Sequence, residues 1–440
     1  MNQKRQAAIE IVRRLRAVGH TAYFAGGCVR DMLRGAQPND YDVATSATPE
    51  QMHSLFPRSF EVGARFGVML VVTDVAQFEV ATFRSDDAYE DGRRPASVTF
   101  STPEADARRR DFTVNGLFYD PIQERVLDYV GGRADIQRRL IRCIGEPAAR
   151  FGEDKLRLLR AVRFASTLGY EIEPGTFAAI QTLAGEITVV SAERIRDELT
   201  KMFTGAGAGR GLRLLDASGL LAVVLPEVAA MKGVEQPPEF HPEGDVFVHT
   251  CQMMDGLREP SVTLAFGTLL HDVGKPPTFQ RAPDRIRFNE HDVVGAQMTE
   301  AILRRLRFPN DEIERVVACV ENHMRLRHAT QMRKSKLKRE LARPTFPDEL
   351  EMHRLDCMAS HADLTNYEFL KRAQAETPPE KIAPPRLING DDLLAMGMAP
   401  GPGMGELLRE ARELQLEEKL RNRDEALAWA RNRVTRGGRD

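Results

Sequence analysis

The sequence is poor in cysteine and in aromatic residues, and it has no long apolar run. Its five cysteines among 440 residues form no C-x-x-C pair, which argues against a disulfide framework and against a cysteine-based zinc site. Aromatic residues make up 7% of the chain, too few to predict a surface that stacks on single strands. No stretch approaches the roughly 18 to 20 apolar residues of a membrane span. We therefore expect a soluble, cytoplasmic protein with no membrane partner.

Basic and acidic residues are nearly equal in number. The sequence has 62 Lys and Arg against 64 Asp and Glu, which gives a formal net charge of -2 and a pI of about 6.6. This balance argues against a protein that coats nucleic acid through bulk charge, although it allows a local basic groove. With 42% hydrophobic and 29% charged residues, the composition is globular, and the length predicts roughly three domains.

The hydrophobic periodicity changes near residue 145. Before it, short β-branched runs alternate with Gly and Pro, which predicts a small mixed sheet flanked by helices; after it, apolar residues recur at helical spacing. The fold class is therefore α+β. Strands are predicted at 21–25, 41–44, 68–72, 78–83, 98–101 and 125–130. The predicted domains are a head at 1–145, a helical neck at 146–235, a histidine-rich helical domain at 245–372 and a helical tail at 385–440. Two Pro-bearing linkers are predicted at 235–244 and 376–385.

The first motif that suggests chemistry is a strand, a diglycine turn and a helix start at 23–31. A glycine such as Gly27, without a Cβ, lets a phosphate approach the backbone, and Arg30 adds a fork of donors. Such a turn is also common without any ligand, so it indicates phosphate binding only together with other motifs.

Two aspartates follow the diglycine turn. On a strand, Asp40 and Asp42 would share one face, and two carboxylates this close are stable when a divalent cation lies between them. An exposed turn is the alternative. Glu79 lies on a predicted strand, either as a third member of this cluster or as a partner of Arg84. Together the motifs fit Mg²⁺-dependent nucleotidyl transfer, in which the ion activates the attacking hydroxyl and screens the triphosphate.

These residues resemble the class II tRNA nucleotidyltransferases of the polymerase-beta superfamily, which build or repair the CCA 3′ end of tRNA from CTP and ATP. The resemblance covers nearly the whole chain and rests on ordered motifs at 26–31, 40–45, 109–116, 153–157 and 194–201. It implies a polymerase-beta-like head in which Asp40 and Asp42 hold Mg²⁺, with Glu79 as a further catalytic candidate. It also implies that Gly27, Arg30 and Arg110 contact the nucleotide.

The motif at 153–157 opens a helical pattern that continues with two more arginines. Asp154 and Arg157 are three residues apart and are predicted to share a helix face with Arg160 and Arg163. Asp154 can accept from the exocyclic amine of cytosine or adenine, and Arg157 can donate to the neighbouring ring acceptor. In isolation such a pair is more often a surface ion pair, but the resemblance implies that it selects the incoming base.

Three alternatives within this resemblance stay open. An A-adding enzyme that works with a separate CC-adding partner shares all the motifs, although the polar segment 84–100 resembles the flexible loop that CC-only enzymes lack. A bacterial poly(A) polymerase shares the head, but the segment Gly-Ala-Arg-Phe-Gly at 63–67 and the pI favour tRNA. In the third alternative, the chain is a phosphohydrolase whose head only binds RNA.

A histidine-rich block resembles an HD phosphohydrolase domain. His249, His271, Asp272 and Asp356 are predicted to form a mixed nitrogen and oxygen site for Mg²⁺, Mn²⁺, Ni²⁺ or Co²⁺. A second metal is predicted at His291 and His323. The resemblance implies a phosphodiesterase that acts on 2′,3′-cyclic ends, with a purely structural platform as the alternative.

The helical body is expected to hold the tRNA by its shape and backbone, with no DNA partner. A basic cluster at 333–339 is predicted either to contact phosphates or to form a solvated helix face.

Overall fold

A computed structural model describes residues 3–63, 67–86, 98–239 and 241–437. The chain folds into two compact units. Unit 1 comprises Met1–Lys232, Met254–Pro260 and Ile302–Phe308, and unit 2 comprises Gly233–Met253, Ser261–Ala301 and Pro309–Asp440. No helix in the described ranges has both the length and the apolar character needed to cross a bilayer.

The centre of unit 1 is a mixed sheet that has seven strands in the described residues, in the order β3-β4-β5-β2-β1-β8-β9. β2 pairs in parallel with β5 and antiparallel with β1. Buried Phe83 and Phe118 pack on this sheet. The strands of unit 1 are β1 (Ala22–Ala25), β2 (Val43–Thr45), β3 (Ser59–Gly63), β4 (Val68–Val72), β5 (Gln77–Thr82), β6 (Arg84–Asp86), β7 (Val98–Phe100), β8 (Leu117–Asp120), β9 (Arg125–Asp128), β10 (Leu140–Ile141) and β11 (Glu171–Ile172).

The predicted strands correspond to β1, β2, β4, β5, β7 and β9, whereas β3, β6 and β8 were missed, as were the two-residue strands β10 and β11. β8 has three buried residues out of four, so it lacks the alternation by which a half-buried strand is recognised. β6 pairs with β7 outside the main sheet, with Arg84 opposite Phe100. The flexible loop was predicted at 84–100, but its two ends form the paired strands β6 and β7, and its central part, 87–97, is outside the described residues.

Helices make up most of the rest of unit 1, and the longer ones bury an apolar stripe. In α7, buried Leu158, Leu159 and Val162 recur at helical spacing, and Gly169 ends the helix in the left-handed conformation at φ 66°, which glycine adopts without strain. The helices are α1 (Gln3–Ala17), α2 (Gly27–Leu33), α3 (Pro49–Leu55), α4 (Pro103–Arg108), α5 (Gly132–Arg138), α6 (Pro147–Glu153), α7 (Leu156–Leu168), α8 (Pro174–Leu183), α9 (Ala192–Phe203), α10 (Ala208–Ala217), α11 (Leu220–Val224) and α12 (Pro226–Ala229).

In the part of the chain that the structure describes, unit 2 is mainly helical and has one hairpin, β12 (Phe279–Arg281) and β13 (Ile286–Phe288). A sheet head followed by helices confirms the α+β fold class. The helices that lie wholly or mostly in unit 2 are α13 (Val246–Gly256), α14 (Val262–Leu270), α15 (Lys275–Thr278), α16 (His291–Arg305), α17 (Asn310–Asn322), α18 (Lys334–Leu341), α19 (Phe346–Ala359), α20 (Thr365–Glu376), α21 (Pro379–Ile382), α22 (Gly390–Ala395), α23 (Pro402–Leu416) and α24 (Arg423–Gly437).

The segment 235–244 was predicted as a linker, but it belongs to unit 2, and two of its polar side chains are buried although several of their neighbours are exposed. Gln236 is 2% exposed, and the side chain of Glu243 is 4% exposed. The backbone of Glu235 bridges to that of Asp245. Pro and Gly indicate turns, not exposure, which is why the sequence pattern was misleading here.

Candidate active site and histidine centre

The diglycine turn joins β1 to α2 and brings an arginine close to the backbone. Gly26 has a φ of 68°, and a Cβ added there would lie 2.8 Å from Nη1 of Arg110. Its N–H donates to the carbonyl of Leu117 on β8 (3.0 Å). A glycine is therefore required at position 26, because the backbone has a positive φ there and because the guanidinium of Arg110 leaves no room for a Cβ.

Two guanidinium groups are fixed beside this turn. Arg30 donates to Oδ1 of Asn115 (2.8 Å) and to both carboxylate oxygens of Asp31 (2.9 and 3.0 Å). Arg110 donates twice to Oδ2 of Asp106 (3.1 and 3.0 Å). The side chains of Arg30 and Arg110 remain 12% and 21% exposed, so both can still reach a ligand.

Asp106 is a site residue that sequence reasoning missed. It is 1% exposed; burial would raise the pKa of its carboxyl, but the charges of Arg110 and Arg109 outweigh this and lower it. The sequence contained a signal for this role, because Asp106 precedes Arg109 and Arg110 by three and four residues, the spacing at which side chains on a helix are neighbours. Asp106 fixes both guanidinium groups from within the protein.

Asp42 and Glu79 lie side by side on two adjacent strands in the middle of the sheet, Asp42 directly before β2 and Glu79 within β5. In the parallel pair β2–β5, Val43 is opposite Val80, so the residues preceding each of them are neighbours. Partial burial, together with the charge of Glu79, raises the pKa of Asp42 to about 6, and Arg110 opposes the shift. This local excess of carboxylate charge fits a divalent cation with oxygen ligands.

Asp40 lies further out than Asp42. Its side chain is 83% exposed, and its Oδ1 lies 3.4 Å from Nζ of Lys4. Tyr41 between the two aspartates is buried, so the predicted alternation holds even though β2 begins at Val43 and not at Tyr41. Asp40 and Asp42 are thus both available to a ligand on the solvent side.

The prediction that Asp154 shares a helix face with Arg157 was wrong. Asp154 lies between α6 and α7 with an extended backbone, φ -145° and ψ 107°. Its Oδ1 accepts from the N–H of Leu156 (3.0 Å) and its Oδ2 from Arg194 (2.7 Å). The first amides of α7 have no partner within the helix, so an acidic side chain just before it is stabilising.

Three arginines of α7 are held by carboxylates and carbonyls. Arg157 is 7% exposed and donates to Oε2 of Glu153 (2.5 Å) and to the carbonyl of Arg150 (2.9 Å). Arg160 donates twice to Oδ2 of Asp111 (2.8 and 2.7 Å). Arg163 donates to Oε2 of Glu198 on α9 (2.5 Å). Through this network of contacts, α7 joins the motif at 109–116 to those at 153–157 and 194–201.

That network continues towards the diglycine turn. Burial would raise the pKa of Asp111, but Arg160 lowers it below the ordinary value. Asn115 donates to Oδ1 of Asp111 (3.1 Å) and accepts from Arg30 (2.8 Å). An unbroken series of hydrogen bonds therefore connects Arg30 with Arg160.

In unit 2, three histidines converge on Asp272. Nε2 of His271, His291 and His323 lies 3.0, 3.6 and 3.9 Å from Asp272 carboxylate oxygens. Their Nδ1 atoms lie 2.9, 2.8 and 2.6 Å from the carbonyls of residues 268, 288 and 320. A carbonyl at Nδ1 retains the proton there and leaves Nε2 free to bind a metal. Burial lowers the pKa of His323 to about 3, which keeps it in the neutral, metal-binding form.

His249 and Asp356 complete the predicted set. Nε2 of His249 lies 3.1 Å from Oδ1 of Asp356. In the described residues, the buried Nε2 atom of His271 and both ring nitrogens of His249 have no hydrogen bond of normal geometry. Unsatisfied buried nitrogens beside two carboxylates fit a divalent metal better than a plain core. All six predicted residues adjoin or line one cleft of about 950 Å³, which also contains Lys275 and Arg327.

A close contact between two glycines positions the histidines. A Cβ at Gly274 would lie 2.1 Å from the carbonyl of His291 and 2.6 Å from the amide of Gly295. Gly274→Ala is therefore expected to displace α16 and to destabilise unit 2 by about 1–3 kcal/mol, as measured by urea unfolding. Gly405→Ala on α23, where nothing lies within 4 Å, is the control and should not be destabilising. Equal stability of the two variants would contradict the contact.

Three of the five basic residues in the cluster at 333–339 are paired with acidic residues of the same unit. Lys334 and Lys338 lie 3.1 and 3.0 Å from carboxylate oxygens of Glu418. Arg339 pairs with Glu413. These pairs join α18 to α23, so the cluster serves the packing of unit 2.

Three family models match the chain. They are described as the Poly A polymerase head domain at residues 22–142, the probable RNA and SrmB- binding site of polymerase A at 169–232, and the HD domain at 245–367. An A-adding tRNA nucleotidyltransferase of Deinococcus radiodurans is 34% identical over 436 residues, 93% of this chain and 94% of the relative. The chain belongs to the tRNA nucleotidyltransferase family.

Other members of the tRNA nucleotidyltransferase family match over a shorter region. The CCA-adding enzyme of Geobacillus stearothermophilus is 45% identical over 225 residues, 51% of this chain, and the match spans 55% of that relative's length. The crystal structure of a Bacillus stearothermophilus CCA-adding enzyme in complex with CTP superposes with a TM-score of 0.77 at 28% identity, covering 100% of both chains. A Thermotoga maritima CCA-adding enzyme complexed with tRNA shares the fold, at 18% identity and a TM-score of 0.59 over 99% of this chain and 96% of that one.

Proposed function

We propose that the protein adds nucleotides from CTP and ATP to the 3′ end of tRNA and so builds or repairs its CCA terminus. The observation that carries this proposal is the placement of Asp42 beside Glu79 and within reach of the charge of Arg110, next to the glycine turn that precedes Arg30. Carboxylates that bind a cation and guanidinium groups that bind a triphosphate are the parts that nucleotidyl transfer needs. Relatives named as CCA-adding and A-adding enzymes support the same activity.

The residues of the head have distinct tasks in this proposal. Asp42, with Asp40 and Glu79, holds Mg²⁺, which when bound lowers the pKa of the attacking 3′-hydroxyl and screens the triphosphate. Arg30 and Arg110 orient the triphosphate as positively charged donors. Their carboxylate and amide partners keep the side chains in place before the nucleotide arrives, so little ordering is left for the bound state.

A phosphate can approach the backbone at Gly27, where an added Cβ would lie 3.8 Å from Nη2 of Arg30. In the neck, Asp154 and Arg157 select the base by the donor and acceptor pattern of its edge. Arg160 and Arg163 support them in the nucleotide site. Since Arg157 donates to Glu153 and Asp154 accepts from Arg194, binding of cytosine or adenine exchanges or shares these contacts.

Base choice gives a direct test of the neck. Arg157→Ala is expected to reduce the preference for CTP over UTP by about tenfold or more, because a mismatched hydrogen-bonding edge then costs less. Competition between the two nucleotides for a tRNA that lacks CCA measures this ratio. Arg138→Ala, which removes an exposed arginine of α5, should leave the ratio unchanged. An unchanged ratio in Arg157→Ala would contradict the assignment.

The proposed activity is tested with two tRNA substrates, one ending at the discriminator base and one ending in CC. Addition of two cytidines and one adenosine to the first substrate is the expected result. Addition of A to the second substrate alone would identify an A-adding enzyme, the second candidate, which the match to the Deinococcus radiodurans relative over 93% of the chain favours. Long runs of A would identify a poly(A) polymerase. No product with either substrate would overturn the proposal.

We also propose that the histidine centre of unit 2 is a metal-dependent phosphohydrolase site that acts on 2′,3′-cyclic phosphate ends. His249, His271, Asp272 and Asp356 would hold one divalent ion, Mg²⁺, Mn²⁺, Ni²⁺ or Co²⁺, and His291 with His323 a second. The convergence of the imidazole Nε2 atoms on Asp272 supports this assignment. Absence of hydrolysis with all four metals would reduce the centre to a structural role.

The proposed division of labour follows the predicted domains. Residues 1–145 carry nucleotidyl transfer, 146–235 base selection, 245–372 the metal centre, and 385–440 contacts to the tRNA backbone. We place the protein in the cytoplasm, with tRNA, CTP and ATP as partners. Ultraviolet crosslinking to tRNA, mapped by mass spectrometry, tests the tail assignment, which fails if no crosslink falls within 385–440.

A further inference from the structure

Glu243 is a buried acid that the proposed functions do not use. Its side chain is 4% exposed, and its Oε1 lies 2.6 Å from Nδ1 of His249 and 3.0 Å from Nδ1 of His241. Its Oε2 is buried and has no hydrogen-bond partner in the described part of the chain. A carboxylate in such a place is costly unless it interacts with a charged or strongly polarised group.

His249 differs from the other three histidines of the centre in what lies at its Nδ1 atom. In His271, His291 and His323, Nδ1 lies near the carbonyl three residues earlier. The corresponding carbonyl for His249 is that of Val246, and it accepts from the hydroxyl of Thr250 instead (2.9 Å). Glu243 therefore occupies the position that a backbone carbonyl has at the other three rings.

The geometry at the opposite side of the ring is equally specific. Nε2 of His249 lies 3.1 Å from Asp356, and the ring centroids of His249 and His271 are 5.6 Å apart. Nε2 thus faces the centre while Nδ1 faces Glu243. A carboxylate at the remote nitrogen of a metal-binding histidine fixes the ring orientation and increases its basicity.

We propose that Glu243 is a positioning residue that orients His249 and strengthens its bond to a divalent metal in the histidine centre. The inference rests on the proposed metal site of unit 2. In the metal-bound centre, the proton of His249 stays on Nδ1, which faces Oε1 of Glu243 at 2.6 Å, and the lone pair of Nε2 is directed at the metal. His241 donates to the same carboxylate (3.0 Å) and helps to hold it in place.

The test measures metal affinity of the metal-free, full-length protein by calorimetric titration with Mn²⁺ or Co²⁺. Glu243→Ala is expected to raise the dissociation constant of the metal by about 10- to 100-fold, the usual effect of losing such a carboxylate. Glu243→Gln, which keeps an acceptor oxygen but not the charge, should give a smaller loss. At saturating metal, hydrolysis of a 2′,3′-cyclic end should recover in the Gln variant, because the metal-loaded centre is the same.

His241→Ala is the matched control, because it removes the other partner of Glu243 but leaves the contact with His249. It should weaken metal binding less than Glu243→Ala does. Circular dichroism checks that each variant folds. If Glu243→Ala does not fold, the metal affinity of Glu243→Gln tests the inference. Wild-type affinity in the folded Glu243 variants would overturn the inference. Loss of one whole equivalent of metal in His241→Ala would also overturn it, in favour of a separate site at His241, Glu243 and His249.

Failure of the underlying function has a different signature. If the wild-type protein binds neither ion, the proposed metal site itself is wrong and the role of Glu243 is overturned with it. If the wild type binds metal and the Glu243 variants bind it equally well, the metal site stands and only the positioning role is overturned.

Discussion

Asp42→Asn is expected to lower the rate of nucleotide addition by about 10²- to 10³-fold or more. The substitution keeps the size of the side chain but removes the charge that holds the cation, and loss of one strong electrostatic contact to a reacting centre typically has this effect. The rate is measured as incorporation of labelled CMP into a tRNA that lacks CCA, at saturating CTP and Mg²⁺. Loss of the charge at Asp42 also relieves its repulsion with Glu79, so the variant should fold.

The control for Asp42→Asn is Asp74→Asn. Asp74 is an aspartate of the same unit whose side chain is 93% exposed and paired with Arg58 (2.6 Å). Exposed ion pairs contribute about 0–1 kcal/mol, so this variant should retain the wild-type rate. If Asp42→Asn keeps a comparable rate, the carboxylate does not take part in nucleotidyl transfer and the head assignment is wrong.

Asp272→Asn is expected to abolish metal-dependent hydrolysis in unit 2 and to destabilise that unit by about 3–5 kcal/mol, the typical result of leaving a buried charge unpaired. Asp272 is 2% exposed and lies 2.7 Å from Nζ of the buried Lys275. Burial would raise the pKa of its carboxyl, but His271 and Lys275 hold it well below the ordinary value. Hydrolysis of an RNA 2′,3′-cyclic phosphate and urea unfolding measure the two effects.

Asp311→Asn is the companion variant for Asp272→Asn. Asp311 is exposed in the first turn of α17, the helix that leads to His323, and its loss should affect neither hydrolysis nor unfolding measurably. Hydrolysis that survives in Asp272→Asn would show that the histidine centre is not the hydrolytic site. Unchanged stability in Asp272→Asn would show that Lys275 does not depend on this carboxylate.

The sequence motifs identified the residues of the histidine centre but not how they are grouped. His271 was assigned to one metal with His249, Asp272 and Asp356, and His291 with His323 to a second, whereas the structure brings the Nε2 atoms of His271, His291 and His323 together at Asp272. The contribution of Glu243 was not predicted, since its Pro- and Gly-containing neighbourhood is typical of a linker. Glu243 lies close to His249 because of the tertiary fold, which local composition does not specify.

In unit 1 the sequence predicted the alternation around Asp42 but not all of its geometry. Spacing alone placed Asp154 on a helix. In the structure Asp154 lies just before α7, and its side chain accepts from the N–H of Leu156, the first residue of that helix. A spacing of three residues is equally compatible with a helix face and with a residue that precedes the helix. The pairing of β2 with β5, which brings Glu79 beside Asp42, depends on strand register, and no local pattern specifies register between strands so far apart in the chain.

The most direct test of the central claim is a crystal structure of the protein with CTP and Mg²⁺. The account predicts a metal ion at about 2.0–2.1 Å from a carboxylate oxygen of Asp42, and a triphosphate in contact with Arg30 and Arg110. A nucleotide bound elsewhere, with Asp42 directed away from both metal and phosphate, would contradict it.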